Sequence, residues 1–276
     1  MSRLLTRLRA SLDGLSPVLK RVAEYVLEHP EAVIYHSVTE LAEATRSSEG
    51  SIIRFCQDLG FSGFQELKLT LAVESSAPAR QEAQPQNGGG HLLEKLAHHA
   101  AATLEETALL YEEEAFRTVA GRLAGATRID VYGVGASGVV AQYFAYKFLR
   151  FGLVAQAYSD THLGAMSASN LTAGAVAIGV SSSGSTIDTL QAVKAAKAAG
   201  AFTVAVTNRL RSPLAKVADR SLFASPPESP LTGGDVFAKL GQLLLLEGLV
   251  RLMLEADAGL EDDVRRTAQA VADRSM

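Results

Sequence analysis

Two short segments of this 276-residue chain set hydroxyls beside glycine: Gly133-Val134-Gly135-Ala136-Ser137-Gly138 and Ser181-Ser182-Ser183-Gly184-Ser185-Thr186. Each follows a strand-like apolar run, Arg128–Tyr132 in one case and Ala175–Val180 in the other, and each opens a helical pattern. A helix N-terminus carries unpaired N–H groups and the positive end of the helix dipole, so it suits an anion. Ser137, Ser181, Ser183 and Thr186 add hydroxyl donors, and glycine lets the backbone come close to a ligand. Neither loop contains lysine or arginine. The chemistry implied is a small phosphomonoester held by oriented dipoles and hydroxyls. Gly135, Ser182 and Gly184 complete the candidate phosphate-binding set. A simple turn with an N-cap would look the same in either loop alone; two such loops on one sheet edge favour the anion.

The first loop also satisfies G-x-G-x-x-G, with Asp160 near the spacing of a ribose-binding acid. A dinucleotide enzyme is therefore a competing reading. Such a site does not require the Ser181–Thr186 loop, and its chemistry would need a catalytic residue that no motif supplies. The single cysteine, Cys56, leaves no intrachain disulfide and no cysteine cluster for zinc. No cofactor and no metal are expected.

The elements that must position these residues fall into two blocks. Residues 76–90, rich in Pro, Gly, Gln and Ala, read as a linker without apolar periodicity. Residues 1–75 read as all helix: a start at Ser16-Pro17, a stop at His29-Pro30, a helix opened by Ser37 or Thr39, a polar break at Thr45–Ser48, a helix over 49–59 ended by Gly60, and another over 64–73. Residues 91–276 alternate, with a helical stretch over 92–123, strands over 128–132, 153–158, 175–180, 202–206 and 222–224, and two closing helices over 236–255 and 260–273. That order predicts a five-stranded parallel sheet flanked by helices, an α/β domain of Rossmann-like or flavodoxin-like type.

The break at Thr45–Ser48 between two short helices fits either a helix-turn-helix, which reads bases with the start of its second helix, or an ordinary three-helix module with a solvated polar face. Ile52, Phe55, Cys56 and Leu59 share the apolar face of the second helix, leaving Ser51, Arg54 and Gln57 outside. Arg54 suits guanine and Gln57 suits adenine. Charge opposes the first of these: residues 1–75 carry eight Lys/Arg against ten Asp/Glu. Phosphate contacts then require Arg46, Arg54 and Lys68 to gather locally.

The residues Gly133-x-Gly135-x-Ser137 and Ser181-x-Ser183-Gly184-x-Thr186 resemble the SIS (sugar isomerase) domain. The stretches Ser37-x-Thr39-Glu40-Leu41-Ala42, Arg54-Phe55-Cys56 and 59–68 resemble the N-terminal domain of RpiR-type bacterial regulators. The resemblance covers both blocks in the family's order. It implies a transcriptional regulator, not an enzyme, binding operator DNA and a phosphorylated sugar effector, with Ser137, Ser181, Ser183 and Thr186 at the phosphate. It also places Asp160-Thr161-His162 and Glu228-Ser229-Pro230 near the sugar. The SIS resemblance also implies a second competitor, a sugar-phosphate isomerase, for which Asp188, His162 and Glu228 are the candidate general bases. Asp188 falls in the first helical turn, where an acid simply complements the dipole. Two departures stand out: Arg46 where relatives often carry glycine, and Asp235 after Gly233-Gly234 where small or apolar residues are usual.

Composition agrees with a globular chain: 47% hydrophobic, 20% charged, net charge −4. No run reaches the ~20 apolar residues of a membrane span, and the N-terminus lacks a signal pattern. A cytoplasmic protein is expected. Paired half-sites favour a homodimer or homotetramer, with the aliphatic helices over 92–123 and 236–255 as the expected interface.

Overall fold

The computed structural model describes residues 3–79, 91–225, 231, 234–257 and 259–272. These form two compact units, one running to Ala97 and one starting at His98.

The first unit is helical: α1 (Arg3–Ser11), α2 (Pro17–Glu28), α3 (Pro30–Tyr35), α4 (Val38–Ala44), α5 (Glu49–Asp58) and α6 (Phe64–Ala79). Local chemistry sets the boundaries. Ser37 accepts from Glu40 N–H while the Glu40 carboxylate accepts from Ser37 N–H, closing a capping box at the start of α4. Ser48 caps α5 through Ser51 N–H. Leu4, Leu8, Val22, Val26, Leu41, Ile52, Phe55, Leu67 and Leu71 form one core with Cys56. Proline at the first position of α3 both stops α2 and starts a short helix that the sequence reading passes over.

Cys56 is fully buried, and burial pushes its thiol up to about 12, against a smaller opposing backbone hydrogen bond. Ellman's reagent at pH 8 is therefore expected to leave native protein untouched and to titrate one thiol per chain after denaturation. Rapid labelling of the native protein would show that α5 is not packed as described.

The second unit is built on β1 (Arg128–Tyr132), β2 (Ala155–Tyr158), β3 (Ala175–Val180), β4 (Phe202–Thr207) and β5 (Arg220–Phe223). They form one parallel sheet in the order β2-β1-β3-β4-β5. Helix α7 (Leu92–Leu109) crosses the unit boundary at Ala97, and α8 (Glu113–Ala124), α9 (Ala136–Arg150), α10 (Thr161–Ala168), α11 (Ile187–Ala198), α12 (Pro213–Val217), α13 (Val236–Ala256) and α14 (Gly259–Ala272) complete the second unit. One sheet face packs Ile129, Val131, Ile178, Val180, Val204 and Val206 against Phe116, Phe144, Phe148 and Leu246. The other packs Tyr132, Ala177 and Ala205 against Ala168, Val193 and Leu214.

Three expectations need correction here. The stretch over 92–123 is two helices, α7 and α8, separated at residues 110–112. Helices α10 and α12 are additional, each too short for a clear periodic signal. Helix α13 is not spare aliphatic surface, because Leu245, Leu246, Leu249, Val250 and Met253 lie in the core. Of the expected linker, residues 76–79 continue α6, and 80–90 lie outside the described residues. Among the described residues no helix is long and apolar enough to cross a membrane.

Candidate functional site

In the second unit the two hydroxyl loops lie side by side. Strands β1 and β3 are neighbours, with Tyr132 opposite Gly179, yet β1 leads through α9 to β2 on one side and β3 leads through α11 to β4 on the other. The chain thus diverges between β1 and β3, and such a switch point opens a crevice at the carboxyl ends of the strands.

The Gly133–Gly138 loop is tight. A Cβ on Gly133 would stand 2.6 Å from the Ser137 carbonyl oxygen, and one on Gly138 would stand 2.9 Å from that of Gly133. Gly135 sits at φ +58 as the N-cap of α9, which places Ser137 in the first turn. In the second loop Ser181 Oγ and Thr186 Oγ1 lie 2.9 Å apart, and Ser183 Oγ accepts from Ser185 N–H at 3.2 Å. Thr186 is the N-cap of α11 without using its side chain to cap it. Gly184 (φ +60) packs so closely on Ser212 that only glycine fits.

Ser182 differs from its expected role. It is buried, and its hydroxyl turns inward to accept from Lys239 Nζ and, at 3.1 Å, from Gln242 Nε2. Gln242 Nε2 also donates to Asn208 Oδ1 at 2.8 Å, and Asn208 N–H donates to the Ser182 carbonyl at 3.1 Å. A buried lysine on α13 therefore stands behind a loop that contains no cation of its own. The sequence reading misses it because Lys239 is 57 residues away along the chain.

No contact joins the described members of the predicted sugar-reading set to one another. His162 is exposed at the start of α10, and Asp188 is exposed in the first turn of α11. Glu228 lies outside the described residues. Asp160 is the N-cap of α10, its Oδ1 accepting from His162 and Leu163 N–H at 2.9 and 3.0 Å. Below, Asp130 is fully buried and accepts from Arg128, Tyr132 and Ser167, tying β1 to α10. Burial, then the adjacent Asp130 carboxylate, drives the Tyr132 phenol far above its ordinary range.

In the first unit, α4 and α5 form the helix-turn-helix, and Thr39 Oγ1 donates to Glu49 Oε1 at 2.6 Å between them. Arg54 and Gln57 are exposed and Ser51 is half-buried. Lys68 corrects expectation: it is 3% exposed, and its ammonium donates to the His36 carbonyl at 2.7 Å. Its spacing from Phe64 and Leu71 puts it on the buried stripe of α6, so it does not gather with Arg46 and Arg54 at the surface.

Arg46 keeps a glycine-like turn. Its φ is +50, with Arg46 N–H donating to the Glu43 carbonyl and Ser47 N–H to the Ala42 carbonyl, the Schellman pattern that ends a helix on a left-handed residue. The Arg21 guanidinium secures the turn by donating to the Thr45 and Arg46 carbonyls at 3.2 and 3.1 Å. Arg46→Gly is expected to stabilise the helical unit by about 0.5–1 kcal/mol, because left-handed backbone strain outweighs the extra chain entropy. Urea denaturation checks this; an unchanged or lowered midpoint would mean the Arg46 side chain contributes packing that offsets the strain.

The units together define a helix-turn-helix reader joined to a SIS fold. Residues 2–78 match the helix-turn-helix domain of the rpiR family, and residues 122–250 match the SIS domain. The chain belongs to the RpiR family of HTH-type transcriptional regulators. It is 38% identical over 268 residues to an uncharacterized HTH-type transcriptional regulator of Caldanaerobacter subterraneus subsp. tengcongensis, covering 96% of this chain and 94% of that one. It is 32% identical to the HTH-type transcriptional regulator RpiR of Escherichia coli K12, covering 87% and 82%. The structure of the Vibrio vulnificus NanR protein complexed with ManNAc-6P superposes with a TM-score of 0.91 at 36% identity, covering 99% of both chains.

Proposed function

We propose that the α/β unit senses a phosphorylated sugar or sugar derivative and that the helical unit reads operator DNA through α5. The observation that carries the sensing half is the apposition of the Ser137 and Ser181–Thr186 loops at the β1/β3 divergence. Ser137, Ser181, Ser183 and Thr186, with the backbone at Gly135 and Gly184, hold the phosphate. Ser182 supports the loop from within, and Lys239 supplies the missing positive charge. His162, Asp188 and Glu228 read the sugar. Likeness to a protein that binds ManNAc-6P makes that compound the first ligand to test. On the DNA side, Arg54 and Gln57 contact bases, assisted by Ser51 and Arg46.

Sensing needs only differential affinity between two conformations, so no general base is required and no catalytic role is assigned. A DNA reader acts in the cytoplasm and pairs to span two half-sites. Val139, Tyr143, Tyr146 and Leu149 form an exposed stripe along α9, which supports a homodimer, or a pair of dimers, through that helix.

The test combines two assays on the full chain. Thermal shift against ManNAc-6P and other phosphosugars should find a stabilising ligand, and a mobility shift on duplex from the gene's own upstream region should show binding that this ligand alters. Turnover of sugar phosphates with no DNA shifted would sink the regulator reading in favour of an isomerase.

A further inference from the structure

The geometry points to α1 as a second DNA-contacting element, with Arg3 and Arg7 meeting backbone phosphates beside the C-terminal end of α5. This rests on the reading of α5 as the base-reading helix.

The need for such an element comes from charge. Residues 1–75 carry a net acidic balance, and Lys68 is withdrawn into the core. Arg21 spends its guanidinium on the carbonyls of the turn and of Pro17. Asp58, exposed in the last turn of α5, opposes an anion at that end. Phosphate binding there requires cations from a neighbouring element.

Helix α1 is built to supply them. Leu4 and Leu8 anchor it in the core at 3% and 0% exposure. Arg3 and Arg7, one turn apart, share its exposed side. Arg7 Nη2 donates to the carbonyl of Leu59, the C-cap of α5, at 3.4 Å. Among the described residues neither arginine is ion-paired to a carboxylate. A ten-residue helix is about 15 Å long, comparable with a major groove ~12 Å wide. A helix lying in that groove therefore brings its ends near the phosphate walls. Arg46 stands at the turn before α5, and Arg7 stands at its other end.

Fluorescence anisotropy of the full-length protein on a labelled 30-base-pair mixed-sequence duplex, across a series of KCl concentrations, tests this. Wild type should bind with affinity that falls as salt rises. Arg3→Ala with Arg7→Ala should weaken binding by about five- to tenfold per arginine near 0.1 M salt and lower the salt slope by about two. Arg3→Lys with Arg7→Lys should restore the slope. Arg9→Ala, on another side of α1, should change little, and circular dichroism should show all variants equally helical. If wild type binds and the double alanine variant keeps its slope while Arg54→Ala loses affinity, the interface stops at α5 and the α1 assignment is wrong. If wild type shows no salt-dependent binding, the reading of α5 itself fails.

Discussion

Gly184→Ala is expected to destabilise the α/β unit by about 3–4 kcal/mol and to abolish the stabilisation that a phosphosugar confers. Two separate effects add. The residue sits at φ +60, where an L side chain costs about 1–2 kcal/mol. The new Cβ would also lie 2.2 Å from Ser212 Oγ, 2.5 Å from Ser212 Cβ and 2.9 Å from Thr207 Oγ1. Rotation of the Ser212 hydroxyl does not relieve this, since the Ser212 Cβ is fixed by the backbone, and Ser212 is fully buried as the N-cap of α12. The loop must therefore move, carrying Ser183 and Thr186 out of register with Ser137. Gly135→Ala provides the contrast. It also has a positive φ, +58, here with ψ −133, but open space around the added carbon, so only backbone strain of about 1–3 kcal/mol should appear. Ser212→Gly added to Gly184→Ala should recover most of the steric part, leaving the contact with Thr207 Oγ1, the backbone part and a few tenths of a kcal/mol from the lost α12 cap. Thermal denaturation with and without ligand reads all four proteins. A Gly184→Ala protein that melts like wild type and still responds to ligand would show that the loop tolerates displacement, and that its packing on Ser212 does not define the site.

That contrast also marks what the sequence makes legible. The two loops are local features: hydroxyls, glycines and a strand before each of them, so their place at strand ends follows from short-range patterning. The sheet order does not, but the parallel alternation that produces it does. Lys68 was readable too, since its spacing from Phe64 and Leu71 is the spacing of a buried stripe; a long cation on that stripe invites the wrong inference when its carbonyl partner, at His36, lies 32 residues away. Arg46 stands where relatives often carry glycine, yet the turn keeps a glycine-like form because backbone hydrogen bonds on either side, with Arg21, hold the left-handed conformation. Helices α10 and α12 escaped because eight and five residues give too few turns for periodicity to show. The least legible feature is the polar cluster behind the second loop. Ser182, Asn208, Lys239 and Gln242 come from three separate parts of the chain, and only the fold brings them together.

Lys239→Met carries the second large expectation: phosphosugar affinity falls by about 10- to 100-fold while DNA affinity without ligand stays unchanged. The substitution keeps the length and apolar stem of a side chain that is nine-tenths buried, so packing changes little. Gln242 Nε2 remains to donate to Ser182 Oγ, which holds the loop in place. The change lost is one of charge. Hydroxyls and helix dipoles alone supply only partial positive charges, whereas a full positive charge nearby attracts an anion by up to a few kcal/mol at an effective dielectric of ~20. That interaction grows with ligand charge, which yields a discriminating signature. The loss should be larger for the dianionic phosphate above its second pKa, about 6, than for the monoanion below it. Titration calorimetry at pH 5 and pH 8 measures the difference. Equal losses at both pH values would assign Lys239 to holding the loop rather than to neutralising the phosphate. No loss at either would remove it from the effector site and leave recognition to the hydroxyls and the two helix N-termini.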